Sequence, residues 1–530
     1  MKLKLLIVFS ILFVDAAICQ NIFYDVKNYG AVGDGITLET ASIQKAIDQC
    51  SVTGGTVIIP SGKYLTGSLE LKSNVEIFIS TGAILLGSTN ISDYKEFQPK
   101  MKSYNDAFLK HSIFYAEKAE NISIRGDGTI DGQGSAFKVT TREKPERYKN
   151  RPYVIRFVEC KNVHIENITM QNSAMWMQQY LACEDLFIKG IRVYNHANQN
   201  NDMIDIDGCK NVIISDCIGD TDDDGITLKS TSFSITENVV ITNCVISSHC
   251  NAIKLGTESH GGFRNISISN IVVKPSIDTG PIYGQPKGIS GITLGMVDGG
   301  ILEGVTISNI RIEGTHVPIY MRLGNRARKF YDDQQAPDEG IFKDVLISNI
   351  IATDVQSSIG SSITGIPDHY VHNVTLSNIS IEFLGGGTIE DAKKILPELE
   401  DHYPESTKWG NLPSYGFYIR HVKNINLNNV ELRLKNSDSR PAIIVDDVKD
   451  IKITGLKVDS DLTADNVIIF RNVSNGIIQL SSVNTMAKTF VELEGNKNKD
   501  SAIVNNVLMN VKKVLNNKSK IKVKKTGNIR

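Results

Sequence analysis

One short phrase recurs along this chain and limits what it can fold into. A polar residue or glycine is followed by alternating apolar residues, often by Ser-Asn, and then by more apolar residues. It reads Asn121-Ile122-Ser123-Ile124, Asn162-Val163-His164-Ile165, Asp185-Leu186-Phe187-Ile188, Asn211-Val212-Ile213-Ile214 and Asn238-Val239-Val240-Ile241. Further copies start at Asn265, Gly304, Asp344, Asn373, Asn424, Asp450 and Gly476. From Asn162 through Asp185, Asn211 and Asn238 to Asn265 the steps are 23, 26, 27 and 27 residues; from Asn265 to Gly304 and from Asn373 to Asn424 they lengthen to 39 and 51. A period in the twenties, made of strands without regular helices, means a solenoid of short parallel strands. Its coils stack at the inter-strand spacing of about 4.8 Å. The leucine signature of a leucine-rich repeat is missing, so the expected fold is all-β, a parallel β-helix forming one domain over residues 20–510.

Near the start, Ile43, Ala46, Ile47 and Cys50 fall at i, i+3, i+4 and i+7, the apolar face of a short helix. Thr37 or Thr40 is the expected N-cap, and the helix is expected to cap the solenoid. Residues 54–60 and 75–79 read as strands. The segments 133–152, 275–300, 326–341 and 384–416 read as loops projecting from corners of the solenoid, where such insertions commonly wall a binding groove. Residues 511–530 form a basic tail, expected to be solvated.

Residues 1–19 carry Lys2 and Lys4, an apolar run from Leu5 to Val14, then small residues. This pattern reads as a secretory signal peptide cleaved after Cys19, which implies export to the periplasm or the extracellular space; acylation of Cys19 is the alternative. No later stretch is apolar for the ~18 residues a membrane span needs. Net charge is −2 and the pI is near 6.6, which gives no support to a nucleic-acid partner. Cys160, Cys183 and Cys209 each stand just before a repeat strand, and Cys217 and Cys244 stand inside one, the placement of stacked, buried thiols rather than disulfides.

Carboxylates concentrate between residues 200 and 230, in Asn200-Asn201-Asp202 and again in Asp222-Asp223-Asp224. Aligning coils by their apolar strands puts Ile204, Ile226, Ile253 and Met321 in one column and Asp205, Thr227, Lys254 and Arg322 in the next. Two residues before the first column lie Asp202, Asp224 and Asn251. Asp202 and Asp224 are then neighbours on adjacent coils, with Asp223 beside them. Three carboxylates a few ångströms apart cannot all keep ordinary pKa values, so one is held protonated near neutrality. A protonated acid beside ionised carboxylates is what glycosidic-bond cleavage requires. Lys254, Arg322 and Lys229 would form a cationic rim, suited to a sugar that is itself a carboxylate.

These motifs resemble glycoside hydrolase family 28, the polygalacturonase and rhamnogalacturonan-hydrolase family of right-handed parallel β-helices. Tyr29-Gly30-Ala31-Val32-Gly33-Asp34-Gly35 is similar to the family's opening, Asn200-Asn201-Asp202 to its Asn-Thr-Asp motif, and Asp222-Asp223-Asp224 to its Gly/Gln-Asp-Asp motif. The resemblance implies Asp223 as general acid, with Asp202 and Asp224 positioning and activating water for inversion. It needs no metal or cofactor. It implies a pectic polysaccharide or oligogalacturonide as substrate and a monomeric enzyme. The family's Gly-His-Gly is here Ser248-His249-Cys250-Asn251: His249 matches only if the coil bulges by two residues, and otherwise Asn251 takes the place. Of the Arg-Ile-Lys motif only Arg322 survives, and Lys254 or Lys229 would replace the lost lysine.

His260, Arg264, Arg326 and Arg328 lie in or near groove loops as candidate ligands for sugar carboxylates. Trp176 is either a stacking platform or a cover for the coil edge, and His196 is either structural or functional. Two other functions use the same residues: a polysaccharide lyase in which the aspartates hold calcium, and a non-catalytic solenoid that binds glycans.

Overall fold

In the computed structural model, which describes residues 23–104, 110–141 and 143–530, the chain winds as a parallel β-helix. The expected leader over residues 1–19 lies outside these residues. The strands join one continuous hydrogen-bonded system, paired in parallel from coil to coil, as in Ile204↔Ile226, Ile226↔Ile253, Ile253↔Ile292 and Ile292↔Ile319. Among the described residues no helix is long and apolar enough to cross a membrane.

The recurring asparagine explains the winding. Asn121, Asn162, Asn211, Asn238, Asn265, Asn373 and Asn424 all have φ between 50 and 57°. Asparagine, aspartate and glycine tolerate this left-handed region where other residues are strained, which is why the phrase opens on those three types. Each asparagine side chain then bonds to the coil before it: Asn211 Nδ2 donates to Asp185 Oδ1 at 3.0 Å, Asn238 to Asn211 at 3.1 Å and Asn265 to Asn238 at 3.2 Å. The Ser-Asn of the phrase builds a second corner in the same way, with Asn309 Nδ2 donating to Asn270 Oδ1 at 3.2 Å and Asn349 to Asn309 at 3.0 Å. Between the corners, inward residues such as Val239, Ile241, Ile266 and Ile268 are buried, each worth ~1.5–3 kcal/mol of apolar burial.

The third face of each coil is the sheet that carries the polar cluster. Its successive strands include Tyr153–Val158, Gln178–Leu181, Ile204–Asp207, Ile226–Ser230, Asn251–Ser259, Ser290–Met296 and Val317–Leu323. Insertions leave the solenoid at the two edges of this sheet. Residues 88–104 with 110–111, 132–141 with 143–152, 274–289 and 384–416 enter its strands; residues 324–340 follow one.

Several expectations are corrected. Residues 275–300 are not all loop, because Ser290–Met296 is a full rung of the site sheet. That rung moves the columns: Lys254 is level with Thr293 and then Tyr320, whereas Arg322 pairs with Gly295, two residues further along the strand. Residues 511–530 are not a free tail, since Val511–Asn517 pairs with Ala487–Glu494 and Val523–Thr526 with Ser501–Val504, adding a last, lysine-rich rung. The capping helix, Thr40–Thr53, buries Ile43, Ala46, Ile47 and Cys50, but its N-cap is Glu39. The Glu39 carboxylate accepts from the Val32 and Gly33 amides of the preceding turn instead of capping the helix. The described cysteines are buried free thiols.

The corner chemistry sets an expected outcome. Asn238→Val places a β-branched residue at a φ of 57° and removes two side-chain bonds, which destabilises the fold by about 2–3 kcal/mol. Asn238→Gly keeps the conformation and costs about 1 kcal/mol. Thermal melts of the two variants should rank in that order.

Candidate active site

Asp202, Asp223 and Asp224 meet where two adjacent coils enter the site sheet, with one carboxylate oxygen of each lying within 4.8 Å of the others. The register is the expected one, since Ile204 pairs with Ile226. Asn201 and Asn195 hold the first motif in place. Asn201 Nδ2 donates to the carbonyls of Ser173 and Met175, both at 2.9 Å, and Asn195 Nδ2 donates to the Asp202 carbonyl at 3.0 Å. Asp202 and Asp224 are only 2% and 3% exposed, while Asp223 is half-buried and reaches the cavity.

The electrostatics differ sharply among the three. Asp224 is gripped on both oxygens: Oδ1 accepts from Asn251 Nδ2 at 2.7 Å and from the Asn251 amide at 3.2 Å, and Oδ2 accepts from Lys254 Nζ at 2.5 Å. Burial opposes its charge, but Lys254 and Lys229 outweigh that and hold its carboxyl below the usual range. Burial, with Asp224 alongside, pushes Asp223 up to about 6. Burial and then the neighbouring Asp205 and Asp223 push Asp202 well above the ordinary value. Protons on such a cluster belong to the set rather than to one member. All three line the cavity and Asp223 is the most exposed of them, so it is placed to deliver one. Its Oδ2 accepts from Asn200 Nδ2 at 3.3 Å.

Lys229 lies beneath the aspartates, 3.3 Å from Asp205 and 3.8 Å from Asp202, with its ammonium 4.5 Å from the centre of the Trp176 ring. Trp176 thus lines the cavity with Lys229 against its ring. The two lysines are buried and line the cavity beneath the carboxylates, so they form its floor rather than a raised rim. The rim comes from the insertions, which surround a cavity of about 180 Å³. Tyr104 projects from residues 88–104, Lys144 and Tyr148 from 143–152, Arg326 and Arg328 from 324–340, and Tyr403 from 384–416. The Tyr403 hydroxyl accepts from Lys254 Nζ at 3.1 Å. Glu258 lines the same cavity and accepts from Arg328 at 2.6 Å, while both arginines also pair with the buried Asp298.

Other sequence candidates sit elsewhere. Arg322 is buried outside this cavity, donating to the carbonyl of Gly365 at 3.0 Å and to the carbonyls of Glu398 and Leu399, with Trp409 over its guanidinium. The coil does not bulge by two residues to bring His249 into the Asp224 row; Asn251 occupies that row. His249 is turned to the neighbouring corner, where its Nδ1 meets Asp222 at 3.0 Å. Arg264 pairs with Glu303 and Glu237 on the phrase strands, and His260 bonds to the carbonyls of Ser230 and Arg328. Sequence reasoning missed Tyr403, Glu258, Tyr104, Tyr148 and Lys144; all but Glu258 lie on aperiodic insertions.

The three carboxylates are close enough for a cation to bridge them. Two ammonium groups already fill that electrostatic role, however, and a calcium ion would have to take Asp224 Oδ2 from Lys254. The donor set thus fits proton chemistry better than a lyase metal.

A solenoid whose stacked aspartates open into a walled cavity has the form of a carbohydrate-active site. The sequence profile of Glycosyl hydrolases family 28 matches residues 50–399, and the chain belongs to that family. A probable polygalacturonase of Vitis vinifera is 32% identical over 223 residues, covering 40% of this chain and 45% of the relative. An exo-poly-alpha-D-galacturonosidase of Dickeya chrysanthemi is 28% identical over 249 residues, covering 38% and 41%. The chain thus spans less than half the length of these curated relatives. The crystal structure of a hyperthermoactive exopolygalacturonase from Thermotoga maritima superposes with a TM-score of 0.59 at 21% identity, over 78% of this chain and 92% of that one; the likeness is one of fold.

Two stability effects are expected. Asp223 has its pKa raised to about 6, so the stability its proton contributes is present below about pH 4 and is lost as pH rises through 6. Asp223→Asn, which cannot ionise, should therefore raise the melting temperature at pH 7.5 and leave it nearly unchanged at pH 4. Lys254→Met leaves Asp224 buried without its ammonium and should cost about 3–5 kcal/mol, seen as a lower melting temperature at pH 7.

Proposed function

We propose that the protein is an exported glycoside hydrolase that cleaves α-glycosidic bonds of galacturonic-acid-containing pectic chains. The observation that carries this reading is the split within one cavity-lining cluster: Asp224 is held as an anion by Lys254, while Asp223, the most exposed member, keeps its proton up to about pH 6. Asp223 protonates the departing glycosidic oxygen. Asp224, the member held ionised, activates a water on the other side of the anomeric carbon and takes the proton that water gives up, while Asp202 helps to position the water.

Water, rather than a carboxylate, is the attacking group. Asp224 has both oxygens committed to Asn251 and Lys254, and Asp202 is buried with its pKa raised, so neither is a free anionic nucleophile. Their oxygens come within 4.8 Å of Asp223, closer than the ~6.5–9.5 Å usual for an inverting pair. The committed oxygens, not the spacing, support inversion here.

The substrate class follows from charge. With protons on Asp202 and Asp223, the lining sets Lys144, Lys229, Lys254, Arg326 and Arg328 against Asp224 and Glu258, a positive field that favours a carboxylated sugar. Walls from four insertions enclose a pocket rather than an open groove, which favours attack at chain ends, and the relatives named for exo-action point the same way.

On polygalacturonate the expected products are short galacturonides with new reducing ends, released while solution viscosity falls slowly. NMR of the first product should show the inverted anomer. Asp223→Asn should lower kcat by about 100- to 10,000-fold, and the wild-type rate should decline above pH 6. An ultraviolet-absorbing unsaturated product would sink this reading in favour of a lyase.

A further inference from the structure

One buried cluster has no part in the chemistry above. His196, Asp222 and His249 each follow one of three paired residues on consecutive coils, since Asn195 is level with Thr221 and Thr221 with Ser248. Asp278, carried on the insertion 274–289, closes over them. One ligand atom each from His196, His249 and Asp278 lies within 4.8 Å of the others, and the two imidazole rings stand edge to face with centroids 5.0 Å apart.

The hydrogen bonds show which atoms are available. His196 Nε2 is bonded to Asp220 Oδ1 at 2.9 Å, and His249 Nδ1 to Asp222 Oδ1 at 3.0 Å. Each ring is thus oriented by a carboxylate on one nitrogen, the arrangement that fixes a histidine whose other nitrogen binds a metal. On His196 that other nitrogen, Nδ1, is buried and has no hydrogen-bond partner among the described residues, on a side chain only 5% exposed. A buried imidazole nitrogen left without a partner costs free energy that a ligand would recover. His249 Nε2 is bonded to the Asp278 backbone carbonyl at 3.0 Å, and the Asp278 carboxylate accepts from the Tyr194 hydroxyl at 3.2 Å and from the Gly280 amide at 2.8 Å, so a metal would replace the first of these contacts and share the carboxylate.

We propose that His196 Nδ1, His249 Nε2 and the Asp278 carboxylate form a binding site for a divalent transition metal of the zinc type, with water in the remaining position. Two imidazoles and one carboxylate suit zinc, cobalt or nickel rather than calcium or magnesium. The site is separate from the three catalytic aspartates and does not depend on the assignment of the reaction.

Its role is to pin the insertion. Residues 274–289 are already tied to the same coil: the Ile277 amide and Ser276 Oγ donate to Asp220, and the Ile282 and Tyr283 amides donate to Asp222. From there the Tyr283 hydroxyl reaches Gln199 at 2.8 Å, which Arg147 also contacts at 3.0 Å. A metal on Asp278 would lock this chain of contacts, which runs to the wall carrying Tyr148.

The test titrates the full-length, chelator-stripped protein with Co²⁺ and then Zn²⁺, reading the visible d–d band of cobalt and calorimetry for zinc. One saturable equivalent is expected, with Zn²⁺ displacing Co²⁺ and slowing proteolytic cleavage within 274–289. His196→Ala and Asp278→Asn should each weaken binding at least tenfold, and Asp220→Asn by about 10- to 100-fold through loss of ring orientation. Asp278→Asn lies on the insertion, so it keeps the test valid should His196→Ala fail to fold. Absence of a stoichiometric site would overturn the proposal, as would affinity unchanged in Asp278→Asn.

Discussion

Register between coils is the constraint on which everything else in this molecule rests. A parallel rung that slipped by one residue would turn its apolar side chains outward. The asparagine corners oppose that slip, because each left-handed asparagine both turns the chain and bonds to its counterpart one coil earlier. With register fixed, Asp202 and Asp224, remote in sequence, stand one rung apart, and the rigid sheet holds them there against their mutual repulsion. The same stacking sets His196, Asp222 and His249 in file at the next corner, so two clusters of different chemistry come from one structural rule.

The acidic pocket shows how the scaffold sustains charges that would otherwise disperse or lose their identity. Lys254 and Lys229 approach from the sheet, below the carboxylates, and the insertions supply Arg326 and Arg328 from above. Asp224 takes most of the compensation through Lys254. Asp223 and Asp202 take less and are left basic. The asymmetry arises from a single step in position: Asn251 and Lys254 both address Asp224, whereas Asp223 has the neutral Asn200 and Cys250 beside it.

The parts of this design that repeat were legible in the sequence, and the parts that do not repeat were not. Periodicity gave the solenoid, the buried thiols and the Asp202–Asp224 pairing, because each depends only on counting residues within regular coils. Counting failed where a rung was hidden inside an apparent loop. Ser290–Met296 lies between Gly- and Pro-containing stretches, and overlooking it placed Arg322 beside Lys254 when it belongs two residues along. Tyr403 and Tyr148 reach the pocket on long insertions with no period of their own, so no spacing pointed to them. The basic end misled in a different way: its lysines suggested solvent, and its intervening Val511, Leu515 and Val523 were too few to announce a rung.

That final rung bears on a hazard common to stacked-strand architectures. A β-helix finishes with an exposed row of amide and carbonyl groups, onto which another copy could in principle continue the stack. At the opposite end the helix Thr40–Thr53 packs over the first coils and closes the way. Along the last described rung, Lys520, Lys522, Lys524 and Lys525 set exposed positive charge, so a second molecule approaching that rung with the same face meets its own sign. Electrostatic repulsion at that rung thereby opposes end-on stacking, the part that the helix plays at the first coils.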